Sequence, residues 1–202
     1  MQIKTTLFNN IVKPLVFLLL LAPTLGLIAG LWLESLGANP IEYILHSLGG
    51  WALRILLITL LLSPLRHALN WVQLIQLRRM MGLFVFYYAS LHFLGYLWLE
   101  QGFDLQASYE DMLKRPFITV GILAFAMLIP MAITSTRNKM RQMGPRWKLL
   151  HMLVYPAVIF SVIHFWLLVK ADITEPLIYA LLATCLLIER LWRLIIKKYP
   201  RT

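Results

Sequence analysis

The stretch PFITVGILAFAMLIPMAITS, residues 116–135, contains no charged side chain. A helix needs about 20 apolar residues to cross the roughly 30 Å hydrocarbon layer of a bilayer, and this stretch is long enough. Five other stretches have a similar length and apolar character, at residues 11–33, 45–65, 79–100, 149–170 and 174–196. The sequence therefore predicts an all-α integral membrane protein, folded as a bundle of six transmembrane helices.

Composition agrees with a chain buried in lipid. Of the 202 residues, 60% are hydrophobic, whereas an ordinary soluble domain is about 45–50% apolar. Because the connections between the predicted helices are short, neighbouring helices should run antiparallel in one transmembrane domain over residues 1–202. No internal repeat is evident. The first apolar stretch is longer than a signal-peptide core and lacks a small-residue cleavage site, so it is predicted to be a retained helix.

The net charge of +10 is distributed unevenly among the loops. Basic residues lie before the first stretch, around the second loop, after the fourth stretch and at the C-terminal end, while acidic residues occupy the loops between. The positive-inside rule therefore places both termini and the basic loops in the cytoplasm. The basic loop at 137–148 is short and juxtamembrane, which favours a membrane surface or an acidic protein over nucleic acid.

Several kinds of chemistry are excluded by the motifs and the cysteine count. The single cysteine, Cys185, allows no internal disulfide, CxxC pair or thiolate zinc cage. The sequence contains no GxxxxGK, HExxH or GxSxG motif and no Gly-rich dinucleotide fingerprint. Any redox chemistry therefore needs a borrowed cofactor.

Two histidines, His92 and His164, lie at a similar depth in two predicted spans. His92 is 13 residues beyond Arg79, about 20 Å along a helix, and His164 is 16 residues beyond Lys148, about 24 Å. Both helices are predicted to run outward, so the two imidazoles lie within about one turn of the same level. This arrangement is typical of axial ligation of an iron porphyrin wedged between helices. The alternative is that each histidine only forms a hydrogen bond to another helix.

His151 lies nearer the cytoplasmic surface, 13 residues before His164. That spacing is about 20 Å along a helix and suits two stacked haems, although the rings would lie about 140° apart around an ideal helix. A kink at Pro156 is expected to reduce this mismatch. The third helix offers Arg78 and Arg79 at the inner level instead of a second histidine, so an inner haem would need another ligand. The alternative for His151 is an interfacial histidine or a contact to a flavin or quinone.

Three arginines are further candidates for a cofactor site. Arg54 lies at mid-depth in the second span, near the level of His92, and needs a counter-charge. A haem propionate is one candidate partner; a backbone carbonyl or a snorkelling conformation is the other. Arg78 and Arg79 are candidates to hold propionates or a flavin phosphate at the inner face, and the alternative is that they only set the topology.

Two stretches carry a resemblance to a known family. They are RRMMGLFVFYYASLHFLGYLWLE, residues 78–100, and TSTRNKMRQMGPRWKLLHMLVYPAVIFSVIH, residues 134–164. With the six-helix layout, they resemble the MsrQ family, formerly YedZ. These proteins are the haem-binding membrane subunits of the bacterial periplasmic methionine sulfoxide reductase system, within the ferric reductase-like transmembrane group. The resemblance covers essentially the whole chain.

The resemblance implies a b-type cytochrome of the bacterial inner membrane that binds haem b and FMN. Its haem histidines match His92 and His164, with His151 as a third haem-associated position. Electrons would arrive from the quinone pool or a cytosolic flavin reductase. They would leave to a periplasmic molybdopterin enzyme that reduces methionine sulfoxide in oxidised proteins, so the chain would be an electron-transfer subunit and not the catalytic one.

The sequence departs from the larger oxidases of the same group in two ways. They have a second histidine in the third helix, replaced here in the region of Arg78 and Arg79, and a fused flavin and nucleotide domain, absent here. The haem count is therefore one or two, and the donor must be a separate molecule. Alternatives are a metalloreductase or quinol-oxidising cytochrome, or a non-redox scaffold or small transporter whose histidines relay protons.

Overall fold

A computed structural model describes residues 6–198, except for the side chains of residues 194 and 196–198. Within these residues, all the regular structure is helical. The α-helices are α1 (Lys13–Trp32), α2 (Pro40–Ala68), α3 (Ile75–Gly95), α4 (Leu105–Lys114), α5 (Pro116–Ile133), α6 (Arg137–Met143), α7 (Pro145–Leu150), α8 (Val154–Leu168) and α9 (Thr174–Lys198). Short π-helical or 3-10 turns lie at Phe8–Val12, Val72–Leu74, Tyr96–Glu100 and His151–Leu153.

Five helical stretches are long and apolar enough to cross a membrane, namely Phe8–Trp32, Pro40–Ala68, Val72–Glu100, Pro116–Ile133 and Pro145–Leu168. They confirm the first five predicted spans and a multi-pass membrane protein. The sixth predicted span is also a helix, α9, but Glu189, Arg190 and Arg193 interrupt its apolar character. Six spans and cytoplasmic termini therefore stay predictions.

Proline sets the start of two of these helices. Pro40 opens α2 and Pro116 opens α5, where the missing N–H would have no partner within the helix. At α2 the side chain of Asn39 also caps the helix by accepting a hydrogen bond from the backbone N–H of Glu42. These local signals fix where the two helices that carry the site begin.

The chain divides into two compact units, and the first is Met1–Tyr109. In this unit α2 packs against α3, and Ile55, Val85 and Tyr88 are fully buried. Tyr88 also joins α3 to α1, because its hydroxyl donates to the carbonyl of Leu20 at 2.7 Å and accepts from Thr24 Oγ1 at 3.1 Å. Most large apolar side chains of α1 are exposed, as expected for a helix that faces lipid.

The second unit is Glu110–Thr202, and its centre is the packing of α5 against α8. Ala157 and Val158 of α8 are fully buried, and such small side chains let membrane helices approach closely. Helix α9 contacts α8 through a hydrogen bond of 2.7 Å from Arg190 Nε to the hydroxyl of Tyr155.

The helix that carries His151 and His164 is interrupted. A 3-10 turn at His151–Leu153 separates α7 from α8, and Pro156 is the third residue of α8. A proline in the first turn of a helix breaks no helical hydrogen bond. The prediction of a kink at Pro156 is therefore wrong, and the interruption lies in the 3-10 turn. The angle calculated for an ideal helix between the two histidines does not apply.

Candidate functional site

His92 lies on α3 with its ring against the backbone of α2. Its Nδ1 atom is 2.9 Å from the carbonyl oxygen of Leu45. A carbonyl only accepts, so Nδ1 carries the proton and Nε2 holds the lone pair of the neutral ring. One helical turn beyond Leu45, a Cβ atom on Gly49 would lie 3.2 Å from Cε1 of His92. The glycine therefore lets the half-buried imidazole lie close to α2.

His164 has the same surroundings in the second unit. Its Nδ1 atom is 2.7 Å from the carbonyl oxygen of Phe117 on α5, which fixes the same tautomer. A Cβ atom on Gly121 would lie 2.7 Å from Nδ1 and 2.9 Å from Cε1 of His164. Cβ atoms essentially never approach another atom that closely. Only glycine fits at position 121 without displacing the ring.

The two units thus contain the same histidine arrangement at a constant offset. From Leu45 to Phe117, from Gly49 to Gly121 and from His92 to His164, the offset is 72 residues each time. Identical residues also recur at this offset at Leu77 and Leu149, Met80 and Met152, Ala52 and Ala124, and Phe93 and Phe165. The prediction that the chain has no internal repeat is wrong: the pair α2 and α3 is repeated by the pair α5 and α8.

The arrangement suits a metal ligand. A histidine that ligates a metal usually donates its other ring N–H to a carbonyl or carboxylate, which fixes the ring orientation and raises the basicity of the ligating nitrogen. His92 and His164 both make this bond, with Leu45 and Phe117. The hydrogen bond between helices, predicted as the alternative to ligation, is present in both units. It engages Nδ1 and is compatible with ligation through Nε2.

His151 has a different environment from the other two histidines. It is half-buried, its ring stacks on Trp147 with 3.8 Å between centroids and 28° between planes, and its Nδ1 is 3.1 Å from the carbonyl oxygen of Trp147. The indole Nε1 of Trp147 donates to the carbonyl oxygen of Thr134 at the end of α5. His151 is therefore held by a side chain anchored to another helix of its unit.

The repeat also relates His151 to Arg79, which lies 72 residues earlier. Arg79 is exposed on α3, and the neighbouring Arg78 is half-buried. Each unit therefore has a polar or basic side chain 13 residues before its histidine, but only the second unit has an imidazole there.

Arg54 is half-buried on α2, and the centre of its guanidinium is 5.2 Å from the ring centroid of Trp51. A cation over an indole face is stabilised by the negative face of the ring. This contact supplies part of the compensation that an intramembrane charge needs. The predicted propionate or carbonyl partner of Arg54 stays a prediction.

The other two histidines are exposed. His46 and His67 lie toward opposite ends of α2, and Nδ1 of His67 is 2.7 Å from the carbonyl oxygen of Ser63 in its own helix. Among residues 6–198, no group of three or more His, Cys, Asp or Glu side chains is placed to hold a metal ion. The structure thus provides separate histidine ligands in each unit, as an iron with its own macrocycle requires.

Comparison with known proteins gives a consistent result. Residues 48–172 match the family model described as ferric reductase like transmembrane component. A protein of Xanthomonas campestris pv. campestris is 50% identical over 161 residues, which cover 79% of this chain and 73% of the relative. It is named protein-methionine-sulfoxide reductase heme-binding subunit MsrQ. The chain belongs to the MsrQ family.

Other MsrQ proteins extend the match. One from Azospira oryzae is 47% identical over 178 residues, covering 87% of this chain and 76% of the relative. One from Herminiimonas arsenicoxydans is 42% identical over 186 residues, covering 91% of this chain and 85% of the relative. Both carry the same name as the Xanthomonas protein. No solved structure matches the chain.

The site of this MsrQ-family chain includes residues that were not predicted from the sequence. Gly49, Gly121 and Trp147 were missed, because a glycine or tryptophan in an apolar stretch is most often a packing residue. One signal could have found the glycines: a His-Phe pair preceded 43 residues earlier by glycine occurs twice, at Gly49 with His92 and at Gly121 with His164.

Proposed function

We propose that this MsrQ-family chain is a haem b electron-transfer subunit, with His92 and His164 as the axial ligands of one haem iron. The observation that carries the proposal is the repeated arrangement in which each histidine donates Nδ1–H to a carbonyl 47 residues earlier in the chain. A pair of ligands with the same tautomer and the same backing suits the two axial positions of one iron.

The sequence supports a shared haem because the two histidines lie at a similar depth in helices of the same predicted direction. An apolar macrocycle suits the hydrocarbon core of a helix bundle. The haem supplies one-electron chemistry, while the chain supplies ligation, orientation and local electrostatics. The carbonyls of Leu45 and Phe117 orient the two imidazoles and raise their basicity. Arg54 is proposed to interact with a haem propionate.

Direction of electron flow follows from the predicted topology. With the basic loops in the cytoplasm, His151 and Trp147 lie on the input side, and His92 and His164 lie toward the periplasm. The proposed donor is quinol or a cytosolic flavin reductase, and FMN binding follows from the family resemblance. The proposed acceptor is a periplasmic molybdopterin subunit that reduces methionine sulfoxide in oxidised proteins, which places this chain in the bacterial inner membrane.

His151 is the candidate ligand of a second, inner haem. Its Nδ1 is bonded to a backbone carbonyl as in the other two histidines, but its partner is in its own chain segment, at Trp147. The corresponding position of the first unit is Arg79, which is proposed, with Arg78, to bind propionates or a flavin phosphate. The number of haems per chain decides whether His151 is a ligand.

The test is a reduced-minus-oxidised absorption spectrum of the detergent-purified chain, with haem quantified as the pyridine haemochrome. The expected result is the α-band of a low-spin b haem, which His92→Ala and His164→Ala abolish and His67→Ala leaves unchanged. Two haems in the wild type and one in His151→Ala would assign the second haem to His151. An unchanged Soret band in His92→Ala or His164→Ala would remove that residue as a ligand.

A second measurement tests the partner. The proposal expects a molybdopterin protein to co-purify with the chain and to be reduced through it. A haem-containing chain that reduces metal ions or oxidises quinol without such a partner would be a metalloreductase or quinol-oxidising cytochrome instead. A chain without haem, expressed with full haem supply, would be a non-redox scaffold or transporter.

A further inference from the structure

A cavity of about 670 Å³ lies in the second unit, where α5 ends and α6 and α7 begin. It is lined by Ile133, Thr134, Lys139, Gln142, Met143, Pro145 and Arg146. Ligand sites for small molecules usually measure about 300–1,000 Å³, so this cavity is large enough for a small molecule or a lipid headgroup.

The lining contains two cations and no carboxylate. The sequence has no Asp or Glu between Asp111 and Asp172, and in residues 6–198 no ion pair involves Lys139 or Arg146. Two neighbouring cations without a local counter-charge favour an anionic ligand. The amide of Gln142 and the hydroxyl of Thr134 add hydrogen-bonding groups beside them.

The rest of the lining is apolar. Ile133, Met143 and Pro145 offer a surface for a hydrophobic or aromatic body attached to the anion. A ligand with two negative charges matches Lys139 and Arg146 better than a single carboxylate, which would leave one cation uncompensated. Arginine and lysine are the usual partners of phosphate oxygens.

From these features we infer that the cavity binds a phosphate ester carried on an apolar or aromatic body. Two sources share this chemistry: the phosphate monoester of FMN, and the paired phosphodiesters of an anionic lipid such as cardiolipin. The loop is predicted to face the cytoplasm, so both are within reach of it. The inference deepens the proposed function and rests on it for the role of the ligand in electron input.

The cavity is connected to His151 through the packing of the unit. Thr134 lines the cavity, and its carbonyl oxygen accepts a hydrogen bond of 3.0 Å from Nε1 of Trp147. The indole of Trp147 then stacks on the ring of His151 at 3.8 Å. A ligand in the cavity therefore lies beside the residues that hold His151 in position.

The test uses two double variants of the full chain that remove the same charge. Lys139→Gln with Arg146→Gln alters the cavity, whereas Arg137→Gln with Arg141→Gln removes two cations of α6 that do not line it. FMN binding is measured by fluorescence quenching, and bound cardiolipin by native mass spectrometry. The cavity variant should bind the true ligand at least about tenfold more weakly, while the control changes less than about twofold.

Each outcome identifies the source or overturns the site. Weaker FMN binding in the cavity variant alone identifies a flavin site, and loss of cardiolipin in that variant alone identifies a lipid site. Equal binding of both ligands by all three proteins, or equal loss in both variants, overturns the inference. The haem spectrum is recorded for each protein: a haem-free wild type with an intact cavity site refutes the proposed function and not this one, and the reverse result refutes only the cavity site.

Discussion

Nδ1 of His164 lies 2.7 Å from the carbonyl oxygen of Phe117, so the imidazole is held against the backbone of α5. Gly121 makes this approach possible. We expect Gly121→Ala to displace the ring, because its Cβ would lie 2.7 Å from Nδ1. Overpacking of this kind costs about 1–3 kcal/mol. The purified variant should lose most of its haem, and any haem that remains should show a shifted reduction potential.

Two further glycine variants make this prediction sharper. Gly49→Ala should have a smaller effect, because its Cβ would lie 3.2 Å from His92, a contact that a shift of a few tenths of an ångström relieves. Gly82→Ala, within α3, should leave the spectrum unchanged, because a Cβ there meets no atom within 4 Å. Equal spectra for the Gly121 and Gly82 variants would refute the positioning role.

Tyr88 links α1 to α3 through its hydroxyl, which bonds to Leu20 and Thr24. We expect Tyr88→Phe to lower the free energy of unfolding by about 1 kcal/mol, because these bonds are made in a buried, apolar setting. Thermal unfolding of the haem-loaded chain in detergent measures this. Tyr87→Phe is the matched control, and equal melting temperatures for the two variants would contradict the prediction. The haem α-band should stay in both.

Much of the fold could be predicted from the sequence because apolar length is a local property. The five confirmed spans each contain enough consecutive apolar residues to cross a bilayer. His92 and His164 could be selected because an ionisable residue within a span is costly and therefore marks a candidate functional position. Neither step needs knowledge of which helices touch.

The remaining features depend on packing between distant segments. The carbonyl partner of each histidine is 47 residues away in the chain, and Gly49 and Gly121 matter only because an imidazole lies against them. The 3-10 turn after His151 could not be predicted, since a proline within an apolar run indicated a kink instead. Scattered identities hid the repeat until the two histidine environments were compared.

Gly144 joins α6 to α7 with φ 52° and ψ −124°, a conformation that side chains other than glycine rarely adopt. A Cβ there would meet no atom within 4 Å, so the cost of Gly144→Ala is in the backbone alone. We expect a loss of about 1–3 kcal/mol in stability, with weaker ligand binding in the adjoining cavity. Thermal unfolding and FMN or cardiolipin binding measure both effects.

The control for this variant is Gly26→Ala in α1, which also meets no atom within 4 Å but lies within a regular helix. There the alanine should be neutral or stabilising by about 1 kcal/mol, because it favours helix more than glycine. If Gly144→Ala melts at the temperature of Gly26→Ala, the turn does not require glycine.

The single cysteine tests whether α9 crosses the membrane. Cys185 lies 11 residues after Thr174, about 16 Å along α9, and is exposed on the helix surface. If α9 is a sixth span, this thiol faces lipid near the middle of the bilayer. A membrane-impermeant maleimide should then fail to label it in spheroplasts and in inverted vesicles, and should label it after denaturation.

Two introduced cysteines in a Cys185→Ser background calibrate the sides of the membrane. Gln106→Cys, on α4 in the predicted periplasmic loop, should react in spheroplasts, and Arg201→Cys should react only in inverted vesicles. Labelling of Cys185 in intact membranes at the rate of Gln106→Cys would place α9 at the water interface. Labelling of Arg201→Cys in spheroplasts would give a periplasmic C-terminus, because an odd number of spans brings a chain with a cytoplasmic N-terminus out on the opposite side.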